Sequence, residues 1–231
     1  MARLRVRTWH ADAQVAHVTP AADGPGPLTT EDIRRCITTL RRDGYRAAVT
    51  SALGRADQPP FLEAGFVRTE RLHLLLHSLD EIPNPKLAAP AHIRRGRRRE
   101  LDALLAVDHA AFMGMWRLDR AGLDEALSAT PTVHLRIARH GGGTVGYAIC
   151  GRAAHHGYVQ RLAVHPHAQG HGIGGTLLLD GLRWLRRWGA RDALVNTQEG
   201  NDRSLRLYQR VGFVLQPDWL TVLRLDLGDA S

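Results

Sequence analysis

Residues 160–175 read Gln-Arg-Leu-Ala-Val-His-Pro-His-Ala-Gln-Gly-His-Gly-Ile-Gly-Gly, and their types and spacing suit the binding of an anion. Tyr158 to Val164 is rich in β-formers and is stopped by Pro166, so it reads as a strand. Gln169, Gly170, His171, Gly172, Ile173, Gly174 and Gly175 follow as a glycine-rich loop. Leu177, Leu178, Gly181, Leu182 and Leu185 then recur at helical spacing, and Gly189 ends that helix. Glycines let backbone N–H groups converge, while the unpaired first-turn donors and the helix dipole favour phosphate. A second helix is predicted just downstream. Asn201 is a good N-cap, Leu205, Tyr208 and Val211 share one face, and Gly212 is a natural residue to follow the helix end. Taken by itself, Tyr208 is an ordinary tyrosine half-buried under an amphipathic helix.

Glycine loops serve several chemistries. A P-loop needs Gly-Lys-Ser/Thr, and no lysine is present here. A dinucleotide fingerprint needs an acidic residue roughly 20 positions on, where Val195 and Asn196 stand instead. The pattern Gln-x-x-Gly-x-Gly after Leu-Ala-Val-x-Pro resembles motif A of the GCN5-related N-acetyltransferases, which cradle the pyrophosphate of acetyl-coenzyme A. Residues 201–213, Asn-Asp-Arg-Ser-Leu-Arg-Leu-Tyr-Gln-Arg-Val-Gly-Phe, resemble the family's motif B, most closely that of the ribosomal-protein alanine acetyltransferases. The resemblance implies an α/β (α+β) fold with a central mixed, mostly antiparallel sheet flanked by helices. It also implies that Asn201 contacts coenzyme A, that the backbone of Leu162, Ala163 and Val164 holds the pantetheine arm and polarises the thioester, and that Tyr208 protonates the departing thiolate.

Acyl transfer needs donors for an oxyanion, a route for the amine proton and an acid for the thiolate. The base is open. The alanine acetyltransferases use a glutamate five residues before the motif B asparagine, where this chain has Asn196, which cannot accept a proton. Gln160 is likewise no base. Glu199 is close in sequence, and His155 and His156 precede the central strand, but each reads first as an exposed loop residue; a water chain to a backbone carbonyl or to solvent could serve instead. The amine acceptor is unassigned: a peptide terminus, a lysine, an aminoglycoside or a metabolite amine all fit. Met113, Met115 and Trp116 are apolar where a solvent-facing loop would carry polar groups, so they either line an acceptor pocket or plug the edge of the domain.

Composition narrows the remaining readings. Net charge is +8, yet a single lysine, Lys86, stands among the arginines, which points to a GC-rich genome more than to nucleic-acid binding. The run Arg94-Arg95-Gly96-Arg97-Arg98-Arg99 lacks interleaved aromatics and reads as a solvated helix start, with an RNA- or ribosome-associated protein as the alternative. Histidines 155, 156, 165, 167 and 171 show no HExxH spacing and no paired cysteines, so no metal is expected. Cys150 as a nucleophile would need an activating base, and none is evident. Cys36 and Cys150 set up no disulfide framework. The start Met-Ala-Arg-Leu-Arg-Val-Arg has no apolar h-region, no run approaches 18 apolar residues, and a cytoplasmic protein off the membrane is expected. Oligomeric state is not readable.

An internal repeat organises the chain. Leu40-Arg41-Arg42-Asp43-Gly44-Tyr45-Arg46-Ala47-Ala48-Val49 matches Leu185-Arg186-Arg187-Trp188-Gly189-Ala190-Arg191-Asp192-Ala193-Leu194, and Phe61 to Val67 matches Tyr208 to Val214. Residues 1–80 therefore read as a truncated, degenerate half of a second acetyltransferase domain. Its loop, Asp23-Gly24-Pro25-Gly26-Pro27, lacks two N–H donors and adds a negative charge, and Phe61 stands where Tyr208 would. It is expected to pack on the active domain or extend its sheet. Residues 81–91 form a Pro-punctuated linker, and residues 92–231 the catalytic domain. Within that domain a strand is predicted at 92–95, helices at 98–112 (with Leu101, Leu104, Leu105 and Phe112 on one apolar face) and 118–130, a hairpin of 132–139 with 145–150, and a closing strand at 221–227. A non-catalytic coenzyme A-binding or interaction module is the alternative from another class.

Overall fold

The computed structural model describes residues 4–9, 12–21, 26–84 and 91–228. Along the chain lie β1 (Leu4–Trp9), β2 (Asp12–Pro20), α1 (Thr30–Arg42), β3 (Ala47–Thr50), α2 (Pro59–Glu63), β4 (Val67–His77), β5 (His92–Arg95), α3 (Leu101–Ala111), α4 (Arg120–Ser128), β6 (Thr132–His140), β7 (Gly143–Ala153), β8 (His156–Val164), α5 (Ile173–Arg187), β9 (Asp192–Gln198), α6 (Asp202–Arg210) and β10 (Val214–Asp226). This is a mixed α/β fold with mostly antiparallel sheet flanked by helices. Two compact units divide it. One comprises Leu75–Thr197 and Asn201–Gln216; the other comprises Met1–Leu74, Gln198–Gly200 and Pro217–Ser231. The first change of unit falls inside β4, between Leu74 and Leu75, and the last strand changes unit after Gln216. Lys86 and most of that linker lie outside the described residues, as do Asp23, Gly24 and Pro25.

In the larger unit β5, β6, β7 and β8 pair antiparallel in sequence order, and β9 joins β8 parallel. The pleat sends alternate residues of β7 to opposite faces. Tyr147 and Ile149 meet Leu101, Leu104 and Val107 of α3 and Leu123 of α4. Ala148 and Cys150 turn to α5, where Leu177, Leu178, Leu182 and Leu185 are buried as their spacing predicts. Helix and sheet approach closely there, since a Cβ at Gly181 would lie 2.5 Å from the sulfur of Cys150. Gly189, at φ +81°, takes the left-handed turn that ends α5, with the Ala190 N–H reaching back to the Leu185 carbonyl at 3.0 Å. The predicted hairpin is present as Thr132–His140 with Gly143–Ala153.

Three boundaries differ from the sequence expectation. The helix expected from 98 begins as a 3₁₀ turn, Arg98–Glu100, because the Glu100 carboxylate folds back on the Arg97 N–H at 3.0 Å and on Arg94; the α-helix proper starts at Leu101. Phe112, expected as the last residue of that helix's apolar face, instead leaves it in extended conformation. The closing strand is also longer than 221–227, starting at Val214.

In the smaller unit β1 and β2 form an antiparallel pair, β2 runs parallel to β3, and β10 pairs antiparallel with β3. Helix α1 carries a capping box in which Thr29 and Asp32 bond each other's backbone N–H groups. Its C-terminal end repeats the hydrogen bonds of α5: Tyr45 N–H to the Leu40 carbonyl at 3.0 Å parallels Ala190 to Leu185. Likewise the Phe66 N–H reaches the Phe61 carbonyl, and the Phe213 N–H the Tyr208 carbonyl, both at 3.0 Å. Phe61 and Phe66 pack edge to face, as do Tyr208 and Phe213. Among the described residues no helix is long and apolar enough to cross a membrane.

Candidate active site

The glycine loop and the two helices around it assemble within the larger unit. β8 pairs with β9 only from His156↔Asp192 to Tyr158↔Leu194, so the β8 edge beyond Tyr158 continues without a partner ladder from β9. A bulge at Gln160 shifts its register against β7 just before Leu162. The chain leaves β8 at Val164 through the turn Pro166–Ala168, and the Gln169 side chain donates to the Val164 carbonyl at 2.8 Å. Gly170 and Gly172 have φ of +86° and +77°, conformations costly to a residue with a Cβ. Gly172 is the N-cap of α5, and the first backbone bond of the helix runs from Thr176 N–H to its carbonyl at 3.0 Å. The N–H groups of Ile173, Gly174 and Gly175 thus point out of the helix end as donors, and His171 stands exposed beside them. The Ile173 side chain faces the other way, buried with Ala168 and Leu177, so only its backbone belongs to the site.

Helix α6 borders this loop. The Asn201 side-chain oxygen Oδ1 caps it by accepting from the Ser204 N–H at 3.1 Å. Leu207 packs within reach of Gly174, whose added Cβ would meet Leu207 Cδ2 at 3.3 Å. Arg203 donates to the side-chain oxygen of Gln169, which places a cation at the loop mouth that the loop sequence by itself does not supply. Tyr208 sits on the buried face, 6% exposed, its ring edge to face with Phe213 at 5.7 Å. Burial first, and then the neighbouring Cys150 thiol, push its phenol up to about 12 against an opposing pull from Arg161. Its proton is retained throughout the neutral and mildly alkaline range.

Opposite α5, the strand carries a network that the sequence reading missed. Asp108 is fully buried, and Arg161 donates to both its oxygens at 2.8 Å. The Tyr147 hydroxyl donates to Asp108 at 2.6 Å and the Leu118 N–H at 2.8 Å. Arg161 also donates to the Trp116 carbonyl at 2.6 Å and lies over the Phe112 ring at 3.6 Å. The turn Gly114–Trp116 is thereby tied to the residue next to Leu162. Met113 is 81% exposed, whereas Met115 and Trp116 are half-buried. None of the base candidates is poised beside Tyr208 in a buried setting. Asn196 is exposed, Glu199 is exposed and paired with Arg71 at 3.4 Å, and His155 and His156 sit at the β7–β8 turn, His156 on Asp192 at 2.9 Å. Among the described residues no three His, Cys, Asp or Glu side chains are grouped to hold a metal ion.

A family model described as "Acetyltransferase (GNAT) family" matches residues 101–213, and a mycothiol acetyltransferase from Salinispora arenicola is 30% identical over 91% of this chain and 81% of its own length. The chain belongs to the GNAT acetyltransferase family. A mycothiol acetyltransferase from Frankia alni is also 30% identical over 73% of this chain, which spans 61% of that relative. Among solved structures, a GCN5-related N-acetyltransferase from Sphaerobacter thermophilus shares the fold with a TM-score of 0.68 at 16% identity, covering 99% of this chain and 77% of that one. The strands and helices predicted within residues 92–227 follow one another from β5 to β10 in the order expected from the sequence.

The half-burial of Trp116 leaves two roles open to measurement. If its ring lines an acceptor pocket, Trp116→Ala raises the acceptor KM about 10-fold, a typical effect of truncating a contacting aromatic, with acetyl-coenzyme A affinity unchanged. Steady-state kinetics with a thermal melt separates this from a packing role, which lowers the melting temperature and leaves KM alone.

Proposed function

We propose that this GNAT chain is an acetyl-coenzyme A-dependent N-acetyltransferase that moves acetyl to a primary amine by direct attack within a ternary complex. The observation that carries the reading is the outward set of N–H donors at Ile173–Gly175, seated on left-handed Gly172, with Tyr208 on the helix that packs against the same loop. Those donors, with Gly170, His171, Gly172 and Gln169, suit a pyrophosphate, and Arg203 adds a cation to them. The open edge of β8 at Leu162–Val164 suits the amide-bearing pantetheine arm and a thioester carbonyl. A neutral amine forms the C–N bond as the C–S bond breaks, its proton leaves to solvent, and the Tyr208 hydroxyl donates to the sulfur. Relatives named mycothiol acetyltransferase support a small-molecule acceptor, and Asn196 in place of a glutamate argues against a ribosomal-protein alanine terminus.

Residues 1–80 act as a degenerate copy, joined through 81–91 to the catalytic residues 92–231. The support is the repeated element order, the parallel β2–β3 pairing, and the recurring helix-end bonds and ring pairs, with Phe61 fully buried where a phenol would be needed. Calorimetry is expected to give one acetyl-coenzyme A per chain, and a stoichiometry of two would show that the first copy is functional. Transfer to an amine panel, followed by thiol release, distinguishes an enzyme from a coenzyme A-binding module.

A further inference from the structure

The Arg161 guanidinium is held on three sides and open on one. Nε and Nη2 donate to Asp108, Nη2 donates also to the Trp116 carbonyl, and the Phe112 ring supports its face. Asp108 is saturated, since Tyr147 and Leu118 take its remaining lone pairs. Nη1 has no hydrogen-bond partner among the described residues and is not among their buried unpartnered atoms, so the 12% of the Arg161 side chain left exposed includes this nitrogen. Arg161 stands one residue before Leu162 and pairs with Ile149, which puts it on the α3 face of β8 together with the 113–116 turn.

We infer that Arg161 anchors the acceptor: its Nη1 donates to a neutral oxygen, a hydroxyl or an amide carbonyl, carried by the small amine close to its reacting nitrogen. This deepens the acetyl-transfer reading and rests on it. The guanidinium fork is already immobilised, so little freedom is lost when it binds. A neutral oxygen is favoured over a carboxylate because the Asp108 charge already compensates the guanidinium. A second carboxylate would leave two anions sharing one cation in a partly buried setting. An amine lacking the oxygen leaves a donor unpaired, which discriminates by about 10- to 100-fold.

The test compares alaninamide, alanine and ethylamine as acceptors, with rates expressed per concentration of neutral amine. The wild type is expected to favour alaninamide over ethylamine by about 10- to 100-fold, chiefly in KM, and to favour it over alanine. Arg161→Lys keeps the charge, loses the fork and brings the alaninamide-to-ethylamine ratio towards one, with acetyl-coenzyme A affinity retained. Asp108→Asn leaves the guanidinium uncompensated and shifts the preference towards alanine, a change that a purely structural role would not produce. Equal use of alaninamide and ethylamine by the wild type overturns the assignment without needing either variant to fold. An unchanged ratio in folded Arg161→Lys overturns it too. Failure of the acetyl-transfer reading itself shows separately, as wild type that binds no acetyl-coenzyme A in calorimetry.

Discussion

Gly174→Asp is expected to stay folded and to lose acetyl-coenzyme A binding. An acidic residue in the first turn of α5 favours the helix by about 0.3–1 kcal/mol through the dipole. The new Cβ meets only the end of the Leu207 side chain at 3.3 Å, with Val164 Cγ2 at 3.6 Å, so the protein has room after a small shift. The ligand does not. A carboxylate about 4 Å from a phosphate charge costs about 4 kcal/mol at an effective dielectric near 20, roughly a thousandfold in affinity. Gly172→Asp is expected to lose binding as well, by a different route. Nothing in the protein lies within 4 Å of its Cβ, so strain at φ +77° and the charge act together there, without a clash against the protein. Calorimetry on the folded Gly174→Asp variant decides the matter, and near wild-type affinity would remove the phosphate site from these glycines. Gly174→Ala, which adds the Cβ without the charge, separates crowding from repulsion.

Local signals were legible because local physics sets them. The leucines of α5, its glycine stop and the Gly141–Gly142 hairpin turn are all periodicity and backbone permission, and the structure repeats them almost to the residue. The Asp108–Arg161 clamp was not read, since its members lie 53 residues apart and meet only through tertiary packing. One trace was there: Asp108 falls on the same stripe as Leu101 and Leu104 of α3, and an acid on an apolar stripe must find a partner when it is buried. Phe112 is expected on that stripe and instead leaves the helix to lie beneath Arg161, a position that the sequence pattern does not reveal without the arginine. Arg203 is not legible in the sequence, because a first-turn arginine on a polar face reads as solvated until the loop that it reaches is folded beside it.

Tyr208→Phe is expected to lower kcat by about 10²–10⁴-fold, the usual worth of a positioned general acid, with little change in stability or cofactor affinity. The ring keeps its packing on Phe213, and among the described residues no hydrogen bond holds the hydroxyl, so its removal leaves no partner stranded. Because burial pushes the phenol up to about 12, wild-type kcat/KM should rise as the amine deprotonates and then stay flat to about pH 10. A descending limb from Tyr208 belongs only at higher pH. The same shift has a stability consequence whose sign is fixed. A phenol with a folded value near 12 and an unfolded value near 10 stabilises the fold below pH 10, and that contribution is lost as pH rises from 10 to 12. Tyr208→Phe should therefore blunt the alkaline fall in stability, leaving the parts due to Cys150, whose thiol burial also raises to about 12, and to Tyr147 and Cys36, which burial likewise raises. The variant gives α6 the ring that the first copy already carries at Phe61. Unaltered turnover in Tyr208→Phe, with the chemical step shown to be rate-limiting, would reduce this tyrosine to a packing residue and return the thiolate's proton to solvent.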